Sequence, residues 1–121
     1  MRRGERGSAL PLAATLTLGL ACLAALLVLA GALRAEGERV RGAADLAALA
    51  GARAQGDGAD ACVAVGESAD RNEVEVIGCR VAGDEVEFVV SVEVRAPFTM
   101  GPATDWFVAR AHAGMVTGAP E

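Results

Sequence analysis

The chain has 121 residues and a net charge of −5, carries no lysine, and contains four aromatic residues in all. With 26 consecutive uncharged residues near its start, it has room for one small folded domain, not two. The acidic balance and the missing lysine argue against a nucleic-acid-binding face and against a lysine-bearing phosphate loop.

Residues 1–7 form a short basic leader, in which Arg2, Arg3 and Arg6 outweigh Glu5. Residues 8–33 hold ten leucines and no charge. As a helix they reach about 39 Å, enough to cross a bilayer. Ser8 is placed to cap that helix, and Pro11 falls in its expected first turn. Eight arginines oppose fifteen acids after the run, so the charge bias keeps the N-terminus cytoplasmic and exports the rest. Three fates fit such an N-terminus. A secretory peptidase would cut at Ala30-Gly31-Ala32, an uncleaved anchor would keep the leader, and a prepilin-type peptidase would cut between Gly7 and Ser8.

Residues 34–56 continue the helix as an alanine-rich amphipathic extension. Val40, Ala43, Leu46, Leu49, Ala50 and Arg53 recur at steps of three and four, with Leu46 and Leu49 giving the expected buried stripe its bulk. Small residues align at Ala43, Ala47 and Gly51, a spacing that lets helices approach closely. Gly31, Gly37 and Gly42 weaken the helix locally. Asp45 stands alone among alanines and leucines. It serves either as a register-setting acid that meets an arginine of a neighbouring subunit or as a solvated residue paired with Arg41, one turn back.

Gly56, Asp57, Gly58 and Asp60 make a turn, and a short helix follows from residue 61 to about 70. The period then changes to two. Residues 73–81 read as a strand, residues 82–84 as a turn, and Val86, Phe88, Val90, Val92 and Val94 as the core-facing set of a second strand. Residues 97–102 read as a loop and 105–115 as a third strand carrying Trp106 and Val108 on one face. The tail at 117–121 is expected to be disordered. Residues 57–121 are therefore a small exported head, and the fold class is α+β: a long N-terminal helix followed by an antiparallel sheet of about three strands. Cys22 acts as a small apolar residue inside the membrane run. Cys62 and Cys79 lie in the exported part, where compartment and parity favour a disulfide over two buried thiols that never meet.

The leader Arg6-Gly7-Ser8, taken with Gly42-Ala43-Ala44-Asp45-Leu46-Ala47-Ala48-Leu49-Ala50-Gly51-Ala52, resembles the TadE/TadG-like proteins of Flp (tight-adherence) pilus assembly, in their short actinobacterial type. The resemblance covers roughly the first 54 residues. It implies a pilin-like architecture, a cut between Gly7 and Ser8, and a subunit role in an envelope-spanning pilus or secretion machine without enzymatic activity. Leu12 takes the fifth mature position, where pilins commonly carry glutamate, and this points to a minor, initiating or accessory subunit. The expected partners are the bilayer, other pilus or secretion-system subunits, and further copies of the chain. A small extracytoplasmic binding module unrelated to pili, secreted or anchored, is the alternative.

Residue chemistry points the same way. His112 is the sole histidine and has no partner at metal-ligand spacing. Ser68 and Ser91 lack the context of a nucleophile elbow. No catalytic residue, metal, cofactor, nucleic acid or small-molecule substrate is expected.

Overall fold

The computed structural model describes residues 3–100 and 102–116. Two helices, α1 (Arg3–Gly56) and α2 (Ala61–Arg71), precede three strands, β1 (Glu75–Gly83), β2 (Phe88–Met100) and β3 (Ala103–Met115). The strands form one antiparallel sheet in the order β1-β2-β3. The chain divides into two compact units, residues 1–35 and 36–121. The expected tail at 117–121 lies outside the described residues.

From Arg3 onward the first unit is helix. It begins at Arg3, so Ser8 lies inside the helix rather than capping it, and Pro11 sits beyond the first turn. Nothing between Arg3 and Ser8 stops a helix, and the helix runs through these residues. Thr15 Oγ1 donates to Pro11 O at 2.6 Å. Every side chain from 9 to 32 is exposed. Over its most apolar 18 residues the helix has a mean hydropathy of 2.5, long and apolar enough to cross a membrane. The helix assignment is unbroken through Gly31, Gly37 and Gly42.

In the second unit, the rest of α1 joins α2 and the sheet around one core. Val40, Ala43, Ala44, Ala47 and Ala48 of α1 are buried together with Ala61, Val65 and Ala69 of α2. The sheet contributes Phe88, Val90, Val92, Val94 and Ala96 from β2, and Ala109 and Ala111 from β3. Alternation in β2 directs Phe88, Val90, Val92, Val94 and Ala96 inward and sends Ser91, Glu93 and Arg95 to the outer face. Val90 and Val94 are fully enclosed, and each contributes on the order of 2 kcal/mol through burial.

The buried face of α1 differs from the expected one. Leu46 and Leu49 are 52% and 49% exposed, whereas the alanines beside them are buried. Valines already fill the space above the sheet, so the helix axis settles close to it and only small side chains fit between. Gly51 marks the closest approach. A Cβ there would stand 2.7 Å from Val65 Cγ2, 3.0 Å from Val90 Cγ1 and 3.3 Å from Ala61 O.

The β1–β2 connection also departs from expectation. Val86 lies in the turn and is exposed rather than part of the inward set. The turn is built around Gly83, at φ +111°, and around Asp84, whose Oδ1 accepts from the N–H groups of Val86 and Glu87, both at 2.8 Å. Those two bonds, Glu87's foremost, hold the Asp84 carboxyl below the usual aspartate range. A depressed folded-state pKa stabilises above the ordinary carboxylate range, and that stabilisation is lost as pH falls through it. The gap in Tm between wild type and Asp84→Ala is therefore expected to close on acidification. A gap that stays constant with pH would contradict this account of the turn.

The expected loop at 97–102 is mostly strand. The β2–β3 ladder runs on to Met100↔Ala103. Pro97 is tolerated because Arg95 is the last β2 residue with a β1 partner, so past it one side of β2 has no ladder to satisfy. The Phe98 and Phe107 rings, 4.4 Å between centroids, fix this extension. β1 carries a register shift between Val76 and Gly78, whereas the β2–β3 pairing is continuous.

Candidate interaction surfaces

Cys62 on α2 and Cys79 on β1 form a disulfide with Cα atoms 5.9 Å apart. The local sequence brings them together. Asp60 Oδ1 accepts from Val63 N–H at 3.1 Å and starts α2, so Cys62 lies in the first turn. At the other end, Asn72 N–H donates to Ser68 O and Ala69 O, and Glu73 takes φ 57° to turn the chain into β1. Arg39 of α1 braces the same corner, because its Nη1 donates to Asn72 O at 2.9 Å while Nε and Nη2 hold Glu36. That pairing raises Arg39 and lowers Glu36 from their ordinary ranges, both chiefly through the side-chain hydrogen bond. The Arg39 brace has no local sequence signal, since its acceptor lies 33 residues away.

Of the other expected site residues, Gly7 and Ser8 lie within α1. Ala43, Ala47 and Gly51 are brought together, and they are buried against α2 and the sheet of this same chain. Asp45 is exposed on the opposite side. Its anticipated local partner is engaged elsewhere, with Arg41 Nη1 3.4 Å from Glu38 Oε1. Among the described residues, neither Asp45 nor Arg53 has an ion pair. The sequence did carry a signal for this arrangement, because the alanine pairs 43/44 and 47/48, with Gly51 a turn later, trace the inward line.

The outer face of the sheet is mixed, with Val89, Trp106 and Val108 exposed beside its ion pairs. Arg95 Nε reaches Glu75 Oε2 at 3.0 Å, and its guanidinium lies 4.2 Å from the centroid of the Trp106 ring. The hydrogen bonds from Arg95 lower the Glu75 carboxyl from its ordinary range. Arg110 meets Glu93 at 3.1 Å, and His112 Nδ1 lies 2.8 Å from Ser91 Oγ. Among the described residues, no three histidine, cysteine, aspartate or glutamate side chains gather as metal ligands would. The geometry therefore offers two kinds of surface for contact, the apolar helix exposed over residues 9–32 and the mixed outer face of the head, and the disulfide holds the head's parts together. No protein-family model matches the chain, and neither does any curated protein or any solved structure.

Proposed function

We propose that this protein is a membrane-anchored, pilin-like or pseudopilin-like minor subunit of a Flp (tight-adherence) pilus or a related secretion machine. It acts through helix packing and protein contacts rather than catalysis. The observation that carries the reading is the joining of an exposed apolar helix to a disulfide-stapled head. A helix with nine leucines between 10 and 29 exposed in water would be a large aggregation liability, and a bilayer or neighbouring helices relieve it. A disulfide is at home on the oxidising side of a cytoplasmic membrane. In this reading the N-terminus faces the cytoplasm and the head is extracytoplasmic, carried on a single pass. The TadE/TadG-like phrase at 42–52 supplies the pilus assignment, and Leu12 supplies the minor role.

The test is intact mass and N-terminal sequencing of protein purified without reductant from membranes of the native host. A start at Ser8 with two hydrogens missing is the expected result. A start near Leu33 in the soluble fraction would overturn the proposal in favour of a secreted binding module. An intact Met1 would leave a plain anchor and remove the processed-pilin part.

A further inference from the structure

Strand register lays out the outer face of the sheet in rows. Arg80, Ser91 and His112 form one row across β1, β2 and β3, and Gly78, Glu93 and Arg110 form the next. Together the two rows line an open hollow of about 640 Å³. Gly78 provides part of its space, since a Cβ added there would meet only Glu93 Cβ, at an ordinary 3.5 Å. Two arginines stand against one carboxylate in the hollow, so it is positive on a chain whose net charge is −5. Arg110 donates to Glu93 through Nε, which leaves its Nη groups for another acceptor. Arg95, one row further on, is engaged by Glu75 and by the Trp106 ring, but Arg80 is exposed and has no ion pair among the described residues. His112 Nδ1 and Ser91 Oγ are 2.8 Å apart, and that bond leaves a donor whichever way it runs. If Ser91 donates, the ring carries its hydrogen at Nε2; if Nδ1 donates, the Ser91 hydroxyl hydrogen is free.

We propose that this hollow binds a phosphate group, held by the Arg80 and Arg110 guanidinium groups and by the donor that the Ser91–His112 pair leaves over. Neighbouring strands are about 4.8 Å apart, so the backbones of Arg80 and His112 stand about 10 Å apart with Ser91 between them. A phosphate with a hydrogen-bonded donor on each side spans about 8 Å, which fits that row. Its tetrahedral oxygens accept from several sides at once. A flat carboxylate would be satisfied by the fork of one arginine and would leave the remaining donors unmet. Glu93 opposes the anion only weakly, because Arg110 already neutralises it. The Cys62–Cys79 link, next to Arg80, ties β1 to α2 and steadies the row. The site lies within the head and does not depend on the pilus reading. The phosphate comes either from a soluble compound or from a phospholipid headgroup, and the experiment separates the two.

The test uses the full-length chain in nonionic detergent without a histidine tag, so that His112, the sole histidine, gives the only imidazole signals in a nuclear magnetic resonance spectrum. At fixed pH and ionic strength, inorganic phosphate is expected to shift those signals saturably, and chloride is not. Arg80→Ala is expected to raise the half-saturating phosphate concentration about tenfold, through loss of charge-assisted hydrogen bonds to the anion. Arg41→Ala makes the same change in net charge on α1 and is expected to leave that concentration unchanged. Gly78→Val keeps every charge but fills the hollow, and it is expected to abolish the saturable shift. In phosphatidylcholine nanodiscs free of inorganic phosphate, a shift on including phosphatidylglycerol assigns the ligand to a lipid headgroup. A shift with inorganic phosphate alone assigns it to a soluble phosphate. No shift with either, an equal response to chloride, or equal behaviour of Arg80→Ala and Arg41→Ala would each overturn the site, as would undiminished binding by Gly78→Val. Arg80 is exposed, so Arg80→Ala decides the matter even if Gly78→Val fails to fold, and retention of the Cys62–Cys79 disulfide checks the folding of each variant.

Discussion

Gly51→Leu is expected to unfold the head, and Gly51→Ala to destabilise it by about 1–2 kcal/mol. Alanine in place of glycine within a helix ordinarily gains up to about 1 kcal/mol. Here the added methyl meets Val65 Cγ2 at 2.7 Å and Val90 Cγ1 at 3.0 Å, and both belong to stiff β-branched side chains that are themselves fully enclosed. Overpacking a core of this kind costs about 1–3 kcal/mol, enough to reverse the gain. Leucine adds three more carbons at the point where α1, α2 and β2 converge, and nothing there can move without opening the core. Gly66 provides the matched control. It lies inside α2, and a Cβ there meets nothing within 4 Å. Gly66→Ala is therefore expected to raise stability by about 0.5–1 kcal/mol. Denaturant unfolding of the two alanine variants, disulfide intact, decides the matter. Equal effects of the same sign would show that close approach at Gly51 does not govern the packing.

The double variant Cys62→Ala/Cys79→Ala is expected to lose about 3 kcal/mol, the loop-closure term for two cysteines 17 residues apart. In a domain this small, such a loss lowers Tm by on the order of 10–20 °C. The effect is large because α2 has only 11 residues and is marginal by itself. It rests on Ala61, Val65 and Ala69, which together bury little area, and on the covalent link to β1. Thermal melts with and without reductant give the measurement. Reductant is expected to bring wild type down to the double variant and to leave the double variant unmoved, and Cys22→Ala is expected to change neither curve. Coincident melts of wild type and double variant would mean that packing alone holds α2.

Much of the fold is legible in the sequence because its signals are local. The switch from helical to alternating periodicity marks the hairpin, Gly58 and Asp60 separate the helices, and the cysteine positions point to the staple. The features that escape depend on what lies across the core. Reading α1 by bulk assigns Leu46 and Leu49 inward, but the space over the sheet is already taken by Val90, Val92 and Val94, and only alanine and glycine let the helix close on it. Pro97 reads as a strand terminator until it is known that β1 begins opposite Arg95. The same limitation affects Asp45. Its local partner is plausible by spacing, and only the turn of Arg41 toward Glu38 shows that the acid is left over.

The sheet order β1-β2-β3 repeats the order of the strands in the chain. In kinetic terms, every strand finds its neighbour already made. A chain synthesised from its N-terminus has the α1 seam first, then α2 to lay on it, and then three strands that zip one after another through short connections. Contacts so close in sequence carry little loop-closure delay, so the head should fold quickly for a sheet protein. The requirement most distant in sequence, closure of the sheet over Val40 and its alanine neighbours, is met by a surface that has been waiting since the start.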